Sequence, residues 1–113
     1  MLIFKICPAD LWERAQAEGR FDGAPVDLRD GYIHFSTAQQ LRETAARHFV
    51  GQEGLLLIAI DAAALGEDLV WEPSRGGALF PHLYAPLPLT PVRWVRPLAL
   101  RPDGTHDIPA LDH

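Results

Sequence analysis

The chain has 113 residues, of which 48% are apolar, and it carries a formal net charge of −5. The length suits a single domain, residues 1–113, and the apolar fraction suffices for a hydrophobic core. The negative charge argues against general nucleic-acid binding, which depends on Lys and Arg neutralising phosphates. The sequence has one cysteine, and no stretch looks like a signal peptide or a membrane span. We therefore expect a cytoplasmic protein without a membrane anchor, either a monomer or a weak homodimer.

The first predicted elements are a strand over residues 2–6 and a helix over residues 8–18. Pro8 suits the first turn of this helix, and Gly19 suits the position after its end. Residues 20–31 are rich in Gly, Asp and Pro, which predicts a loop long enough to act as a lid.

A short strand over residues 32–35 is predicted to run directly into a second main helix. Ser36 and Thr37 are each followed three residues later by a glutamine, which is the capping-box pattern of a helix start. Apolar residues then recur at every fourth position, which predicts a helix face packed on the core and an end at Gly51. These apolar residues are Leu41, Ala45 and Phe49.

The second half of the chain is predicted to consist mostly of strands. Residues 55–60 form the most apolar run and predict a central strand, and residues 69–71 predict a shorter one. Residues 72–89 are rich in proline, which predicts irregular structure over most of them. Residues 92–101 again predict a strand, in which Pro97 indicates an edge or a bend. The element order predicts an α+β domain with two main helices and a mixed, mainly antiparallel sheet.

One group of polar side chains lies where the strand at residues 32–35 meets the following helix. Side chains of a strand alternate, so Tyr32, His34 and Ser36 share one face while the apolar residues between them face the core. Ser36 and Thr37 also stand at a predicted helix N-terminus, where free N–H groups favour an anion such as phosphate. This pattern predicts a ligand platform. The alternative is that the hydroxyl groups only cap the helix and that His34 is a surface histidine.

A second candidate segment covers residues 71–86, where aromatic, ionisable and proline residues are mixed. Glu72, Arg75, His82 and Tyr84 are its candidates for contact with a ligand. If the chain is locally extended, His82 and Tyr84 point the same way. Ordered loops of this length frequently bind ligands. The alternative is a structural belt whose aromatic residues close the edge of the sheet.

Other chemistries find less support in the sequence. The single cysteine lacks a local signature of an activated thiol, and no glycine-rich phosphate loop is present. A metal site would need His34, His82 and a third ligand such as Glu72, but no closely spaced pair of ligands supports it. His106 and His113 lie in the polar C-terminal segment, where we expect both to be solvated.

Three segments of the chain resemble the domain-of-unknown-function family 952: residues 31–38, residues 80–87 and the strand at residues 57–61. Asp103-Gly104, followed by Ile108-Pro109, fits the same pattern, so the resemblance covers nearly the whole chain. The family has no settled activity. Some members are described as glutathione S-transferase-like, but nothing in this chain resembles the thioredoxin-type half that such transferases need.

In its order of strands and helices, the family is similar to the ADP-ribosyltransferase superfamily, whose members bind NAD in a cleft between two small sheets. The resemblance implies such a split arrangement of sheets, with residues 34–37 on the nicotinamide and ribose side of a bound NAD. It also implies that His82 and Tyr84 close over the ligand and that Glu72 is the catalytic acid.

The chain departs from this pattern in two places. The first strand of the family often carries a histidine where this chain has Lys5. The catalytic glutamate of the superfamily usually lies on a late strand, whereas residues 92–101 contain no acidic residue. Both departures concern catalysis rather than binding.

Three functional hypotheses follow. The first is an ADP-ribosyltransferase-like enzyme, or a degenerate relative, that binds NAD, ADP-ribose or a related nucleotide in a cleft lined by His34, Ser36 and His82. In this hypothesis the catalytic residues are His34, Glu72 and His82, and the ligand-binding residues are Tyr32, Ser36, Thr37, Arg75 and Tyr84.

The second hypothesis is a non-catalytic module that recognises a small molecule or a protein through the same cleft. The third is a metal-assisted hydrolase that uses His34, His82 and Glu72. The sequence does not identify a cofactor, and NAD would enter as a substrate. It also leaves open whether the two histidines meet.

Overall fold

The computed structural model describes residues 1–74 and 76–111. The helices are α1 (Ala9–Glu18), α2 (Pro25–Asp30) and α3 (Leu41–His48), with a 3-10 segment at Ala62–Asp68. The strands are β1 (Leu2–Pro8), β2 (Arg20–Phe21), β3 (Ile33–His34), β4 (Leu55–Asp61), β5 (Leu69–Ser74), β6 (Ala78–Leu83), β7 (Leu87–Pro88) and β8 (Val92–Leu98).

The first sheet has the order β1–β4–β8, and both strand pairs are antiparallel. The apolar run of β4 lies in its centre, where both faces are covered, as the sequence predicts. β8 is an edge strand, so the missing N–H of Pro97 costs the sheet little.

The second sheet has the order β3–β6–β5, and β2 pairs with β7 in a separate two-stranded ribbon. Every strand pair in the described residues is antiparallel. The predicted α+β class with mainly antiparallel sheets is confirmed.

The two larger sheets meet where the chain leaves β3. Ser36 and Phe4 of β1 exchange two backbone hydrogen bonds, 2.8 and 2.9 Å long. The segment after β3 is thereby joined to the edge of the first sheet. Residues at the end of the second sheet consequently lie beside β1.

Hydrophobic packing covers both faces of the first sheet. Along β1, Ile3 and Cys7 belong to the cluster that contains Trp12 of α1, whereas Phe4 and Ile6 belong to the cluster that contains Leu41 of α3. This division follows from the alternation of side chains along a strand. Lys5 shares its face with the first group, so a charged side chain is buried next to the core.

The prediction of a loop over residues 20–31 is wrong, because the segment contains β2 and α2. Pro25 occupies the start of α2, and the Asp27 side chain accepts a hydrogen bond from the Ala24 N–H at 2.8 Å. Gly31 ends the helix with φ 86°, a conformation that favours glycine. The Gly, Asp and Pro that indicate a loop here serve as the start and end of a short helix.

The prediction of irregular structure over residues 72–89 is also wrong, because β5, β6 and β7 together take up 11 of these 18 residues. Pro81 sits inside β6, and its carbonyl accepts from the Phe35 N–H at 3.0 Å. In an antiparallel pair, the N–H and C=O of one residue point to the same neighbour. The position where Pro81 lacks an N–H therefore points towards β3, beyond the last residue of that strand. The hydrogen bonds between β6 and β5 are not affected by the proline.

Two helix starts differ from the sequence prediction. α3 begins at Leu41, not at Ser36 or Thr37. Thr37 and Gln40 do exchange the capping-box hydrogen bonds, at 3.0 and 3.3 Å, but they do so in a turn before the helix. α1 begins one residue after Pro8, which ends β1. Among the described residues, no helix is long and apolar enough to cross a membrane.

Candidate functional site

His34 and His82 meet in the folded chain. They are direct partners in the antiparallel pair of β3 and β6, and their ring centroids are 5.5 Å apart. The structure thus answers the question that the sequence leaves open.

Asp27 of α2 fixes the position of His34. The carboxylate oxygen Oδ1 lies 2.6 Å from His34 Nδ1 and accepts from the His34 backbone N–H at 3.1 Å. Gly23 makes room for this carboxylate, because a Cβ at its position would lie 2.9 Å from Asp27 Cβ. Replacing the glycine would therefore force Asp27 or the backbone at position 23 to shift.

Lys5 supplies the positive charge that balances Asp27. Its Nζ lies 2.8 Å from Asp27 Oδ2 and donates to the His34 carbonyl at 2.9 Å. Both side chains are buried, Lys5 at 7% exposure and Asp27 at 1%. Burial alone would raise the pKa of Asp27, but the hydrogen bond from His34 and the charge of Lys5 outweigh it and lower the pKa to about 2. Asp27 is therefore an anion at neutral pH.

A second carboxylate contacts the other nitrogen of the His34 ring. His34 Nε2 lies 3.0 Å from Asp30 Oδ2, and a hydrogen bond from Arg29 holds the pKa of Asp30 below its usual range. A carboxylate can only accept, so both ring contacts are hydrogen bonds at once only when the imidazole carries two protons. Asp27 and Asp30 thus contact His34 at both of its ring nitrogens.

His82 is held by a different carboxylate. Its Nδ1 lies 2.8 Å from Glu72 Oε1, which also accepts from the Tyr84 hydroxyl at 2.6 Å. The hydrogen bonds from Tyr84 and His82 lower the pKa of Glu72, and the bond to Glu72 raises the pKa of Tyr84 to about 12. Glu72 is thus an anion that fixes one nitrogen of His82.

Tyr32 packs against the rings around it. Its centroid lies 4.2 Å from that of His82, 4.6 Å from that of His34 and 5.1 Å from that of Tyr84. The spacings to His34 and Tyr84 lie within the usual range of about 4.5–7 Å for aromatic contacts, and the spacing to His82 is slightly shorter. Tyr32 therefore joins the Asp27–His34 and Glu72–His82 pairs into one cluster.

A cleft of about 400 Å³ opens at the junction of the two larger sheets, and we call it the two-histidine cleft. His34, Ser36 and His82 line it together, as the sequence predicts. Its aromatic lining comes from Phe4, Phe35, Phe49 and Phe80, and its charged or ionisable lining comes from Lys5, Arg29, Asp30, His34, His48 and His82.

The remaining predicted residues are distributed differently. Tyr32 and Tyr84 line a separate hollow of about 290 Å³ beside Gly31. Within the described chain, the lining of the two-histidine cleft includes neither tyrosine and does not include Glu72. Arg75 lies outside the described residues.

The two predicted hydroxyl residues have partners within the fold. Ser36 Oγ lies 2.8 Å from Thr44 Oγ1, and Thr37 bonds to Gln40 in the turn before α3. Because Ser36 is 4% exposed and lies several residues before the helix start, it is not the helix-terminal phosphate ligand that the sequence suggests.

Sequence analysis misses the residues that organise the cluster. Asp27 and Asp30 are not predicted as site residues because they lie in the segment interpreted as a loop. Lys5 is noted only as a departure from a family pattern. The signal for Asp27 was Pro25 followed two residues later by an acid, which is typical of the first turn of a helix. His106 is 4% exposed, so the prediction that it is solvated is wrong, and His113 lies outside the described residues.

Two further sequence expectations concern thiol and metal chemistry. Burial raises the pKa of the Cys7 thiol to about 11. Over residues 1–74 and 76–111, no group of three or more His, Cys, Asp or Glu side chains is arranged to hold a metal ion. His34, His82 and Glu72 do not form such a group, and Glu72 is bonded to His82 instead.

The fold and the cluster define a small α+β protein whose antiparallel sheets separate around a two-histidine cleft. Residues 6–95 match the model of the family described as "Protein of unknown function (DUF952)", and the chain belongs to this family. No curated protein is similar enough to the chain to count as a match.

Solved structures from one organism have the same fold. The crystal structure of protein CC0527 from Caulobacter crescentus is 51% identical, with a TM-score of 0.92 over 95% of this chain and 94% of that chain. The solution NMR structure of CC0527 is 53% identical, with a TM-score of 0.82 over 92% of this chain and 90% of that chain. Both were determined as structural-genomics targets.

Proposed function

We propose that the protein binds a nucleotide-type small molecule, of the NAD or ADP-ribose class, in the two-histidine cleft. The observation that carries the proposal is the meeting of His34 and His82 in a cleft of about 400 Å³ between two small sheets. This volume falls within the range of about 300–1,000 Å³ that is typical of small-molecule sites.

The lining combines the two kinds of surface that a nucleotide requires. Phe35, Phe49 and Phe80 supply apolar and aromatic contacts for a flat ring. Arg29 and His48 add basic side chains that attract a phosphate. A nucleotide presents a ring and a phosphate together, whereas a purely apolar or purely anionic ligand would use half of this lining.

Glu72 acts in this proposal through His82. Because Nδ1 of His82 donates to Glu72, Nε2 of the neutral ring is an acceptor, and it has no hydrogen-bond partner among the described residues. A ribose hydroxyl is a donor that matches this acceptor. His82 is therefore the ligand-contacting group, and Glu72 is a positioning residue that sets its tautomer.

The proposal makes binding the primary activity. An ADP-ribosyltransferase-like reaction would additionally break the bond between nicotinamide and ribose in NAD. Asp30 is the carboxylate in the described lining of the cleft, and it is already engaged by His34 and Arg29. We therefore propose nucleotide binding, not catalytic turnover, as the activity. An assay for free nicotinamide released from NAD by the purified protein distinguishes these two possibilities.

Calorimetric titration with ADP-ribose tests the proposal. Glu72→Gln is expected to weaken binding about tenfold, because a charge-assisted hydrogen bond that orients His82 is lost. Glu67→Gln is the matched control, since Glu67 is exposed on the 3-10 segment, and its affinity should equal that of the unmodified chain. Equal affinities for both variants, or no binding at millimolar ADP-ribose, would contradict the proposal.

A further inference from the structure

The helix α2 is fixed to the domain by charged rather than apolar contacts. All of its residues are described, and the buried one is Asp27, whereas Val26 and Leu28 are 42% and 66% exposed. A surface helix usually packs an apolar stripe on the core, and this packing supplies most of its stability. In α2 the Asp27 carboxylate stands in the place of such a stripe.

A glycine lies on each side of this helix. Gly23 has φ 121° and Gly31 has φ 86°, and glycine reaches a wider range of backbone angles than any other residue. Just beyond the glycines, Phe21 and Ile33 are buried in the hydrophobic core. The segment between the glycines can therefore turn on two hinges while the chain on either side stays anchored.

Both carboxylates that contact the His34 ring belong to α2. Asp27 Oδ1 lies 2.6 Å from Nδ1, and Asp30 Oδ2 lies 3.0 Å from Nε2. Lys5 is covered from the same side, since its Nζ lies 2.8 Å from Asp27 Oδ2. We call these three contacts the α2 latch. Lifting α2 breaks them together, and water then hydrates the separated charges, which offsets part of the lost attraction.

The same helix stands between two hollows of the structure. One side of it lines the two-histidine cleft, with Val26, Arg29 and Asp30. Its other side lines the hollow of about 290 Å³, with Asp27, Leu28 and Gly31. The helix is thus the partition between the two spaces, and its displacement joins them.

We propose that α2 is a lid over the two-histidine cleft, which opens as one unit on Gly23 and Gly31 when the α2 latch breaks. In the closed form, the lid holds both ring nitrogens of His34 against carboxylates. In the open form, both nitrogens are free to contact a ligand, and the cleft is continuous with the neighbouring hollow. The lid is a property of the ligand-free chain, so its test is independent of the nucleotide proposal.

Native-state hydrogen exchange of the ligand-free protein tests the lid. Two amides report on the helix, because Leu28 donates to the Ala24 carbonyl and Gly31 donates to the Asp27 carbonyl. The His34 amide lies outside the helix but donates to Asp27 Oδ1 at 3.1 Å, so it reports on the latch. We expect these three amides to share one protection factor, at least about tenfold below that of the β4 amides.

Two results of the exchange experiment would overturn the proposal. If α2 and β4 amides have the same protection factor, the helix opens only when the whole domain unfolds. If the His34 amide stays protected while Leu28 and Gly31 exchange, the helix frays and the latch does not open with it.

Amine labelling gives a second readout, since Lys5 is the single lysine of the sequence. Its Nζ is buried behind Asp27, whereas Met1 is exposed, so the N-terminal amine of the purified chain is an internal reference. We expect an N-hydroxysuccinimide ester to acetylate Lys5 in the folded chain, more slowly than this reference. The rate should change little in dilute urea, because the effect of urea scales with the surface exposed. A rate that rises steeply with dilute urea would mean that only global unfolding exposes Lys5, which contradicts the lid.

Matched variants connect the opening to the latch. Asp30→Asn replaces a charged acceptor of His34 with a neutral one, and it should lower the protection of the Leu28 and His34 amides about fivefold. Glu43→Gln is the control, because it removes an exposed ion pair with Arg47 on a different helix, and it should leave both amides unchanged. The proposal is overturned if Asp30→Asn has no effect on these amides or if Glu43→Gln has an equal one.

Discussion

His34 and His82 lie opposite each other on β3 and β6, and each imidazole is held by a carboxylate from a different part of the chain. Asp27 comes from the short helix α2, whereas Glu72 comes from the edge strand β5. Each ring is therefore oriented independently. The α2–β3 segment and the β5–β6 segment, which are distant from each other in sequence, must fold together before the cluster exists.

Asp27→Asn should destabilise the protein strongly. The substitution removes the charge that balances Lys5, which is 7% exposed, and so leaves a buried ammonium group without its ion-pair partner. Loss of one member of a buried pair costs about 3–5 kcal/mol in free energy of unfolding. Urea denaturation measures this cost. Asp22→Asn is the control, because its pair with Arg20 is exposed and should contribute less than about 1 kcal/mol.

The same carboxylate should make stability depend on pH in the acid range. The pKa of Asp27 in the folded chain is about 2, below its unfolded value near 3.8. Its contribution is therefore fully present above the unfolded pKa and is lost as the pH falls towards the folded pKa. We expect the difference in unfolding free energy between the unmodified chain and Asp27→Asn to shrink by about 2 kcal/mol from neutral pH to pH ~2. A difference that does not change with pH would contradict this prediction.

Tyr84 should ionise only at high pH, because its hydroxyl donates to the Glu72 carboxylate and its pKa is raised to about 12. The chain has two tyrosines, so Tyr32→Phe leaves Tyr84 as the single phenol. Phenolate absorbance then reports its titration directly. Adding Glu72→Gln should move the midpoint down towards about 10, the usual value for tyrosine. An unchanged midpoint would mean that the bond to Glu72 does not form in solution.

Cys7 should resist thiol reagents in the folded protein. The side chain is fully buried, and burial raises its pKa to about 11, so little thiolate exists at mildly alkaline pH. Iodoacetamide labelling followed by mass spectrometry should show modification only after denaturant is added. Rapid labelling of the folded chain would show that β1 opens readily.

The elements that sequence analysis predicts correctly are those with a strong local pattern. The apolar run of β4 and the Gly19 end of α1 depend on a few neighbouring residues, and both are found where expected. α2 is missed because its six residues are too few to show helical periodicity. β6 is missed because a proline normally argues against a strand. Pro81 is tolerated only because β3 ends before a partner for its missing N–H would be needed, and no local sequence pattern shows where β3 ends.

The candidate site shows the same limit. His34, Ser36 and His82 are predicted together and do line one cleft, but alternation along the strand does not give the rest of its lining, since Phe35 lines it as well and Tyr32 does not. Asp27 and Lys5 are not predicted as members of the site, since their pairing joins positions that are 22 residues apart. Long-range ion pairs of this kind become visible only once the fold is known.

The most direct test of the central claim, that the two-histidine cleft binds a nucleotide-type ligand, is an amide NMR titration of labelled protein with ADP-ribose, NAD and a nucleoside phosphate. We expect saturable shifts over residues 29–36, 44–49 and 80–82, the segments that contain most of the cleft lining. Amides of β8, whose residues do not line it, should stay unchanged. Flat spectra at millimolar ligand, or shifts confined to residues far from His34 and His82, would contradict the claim.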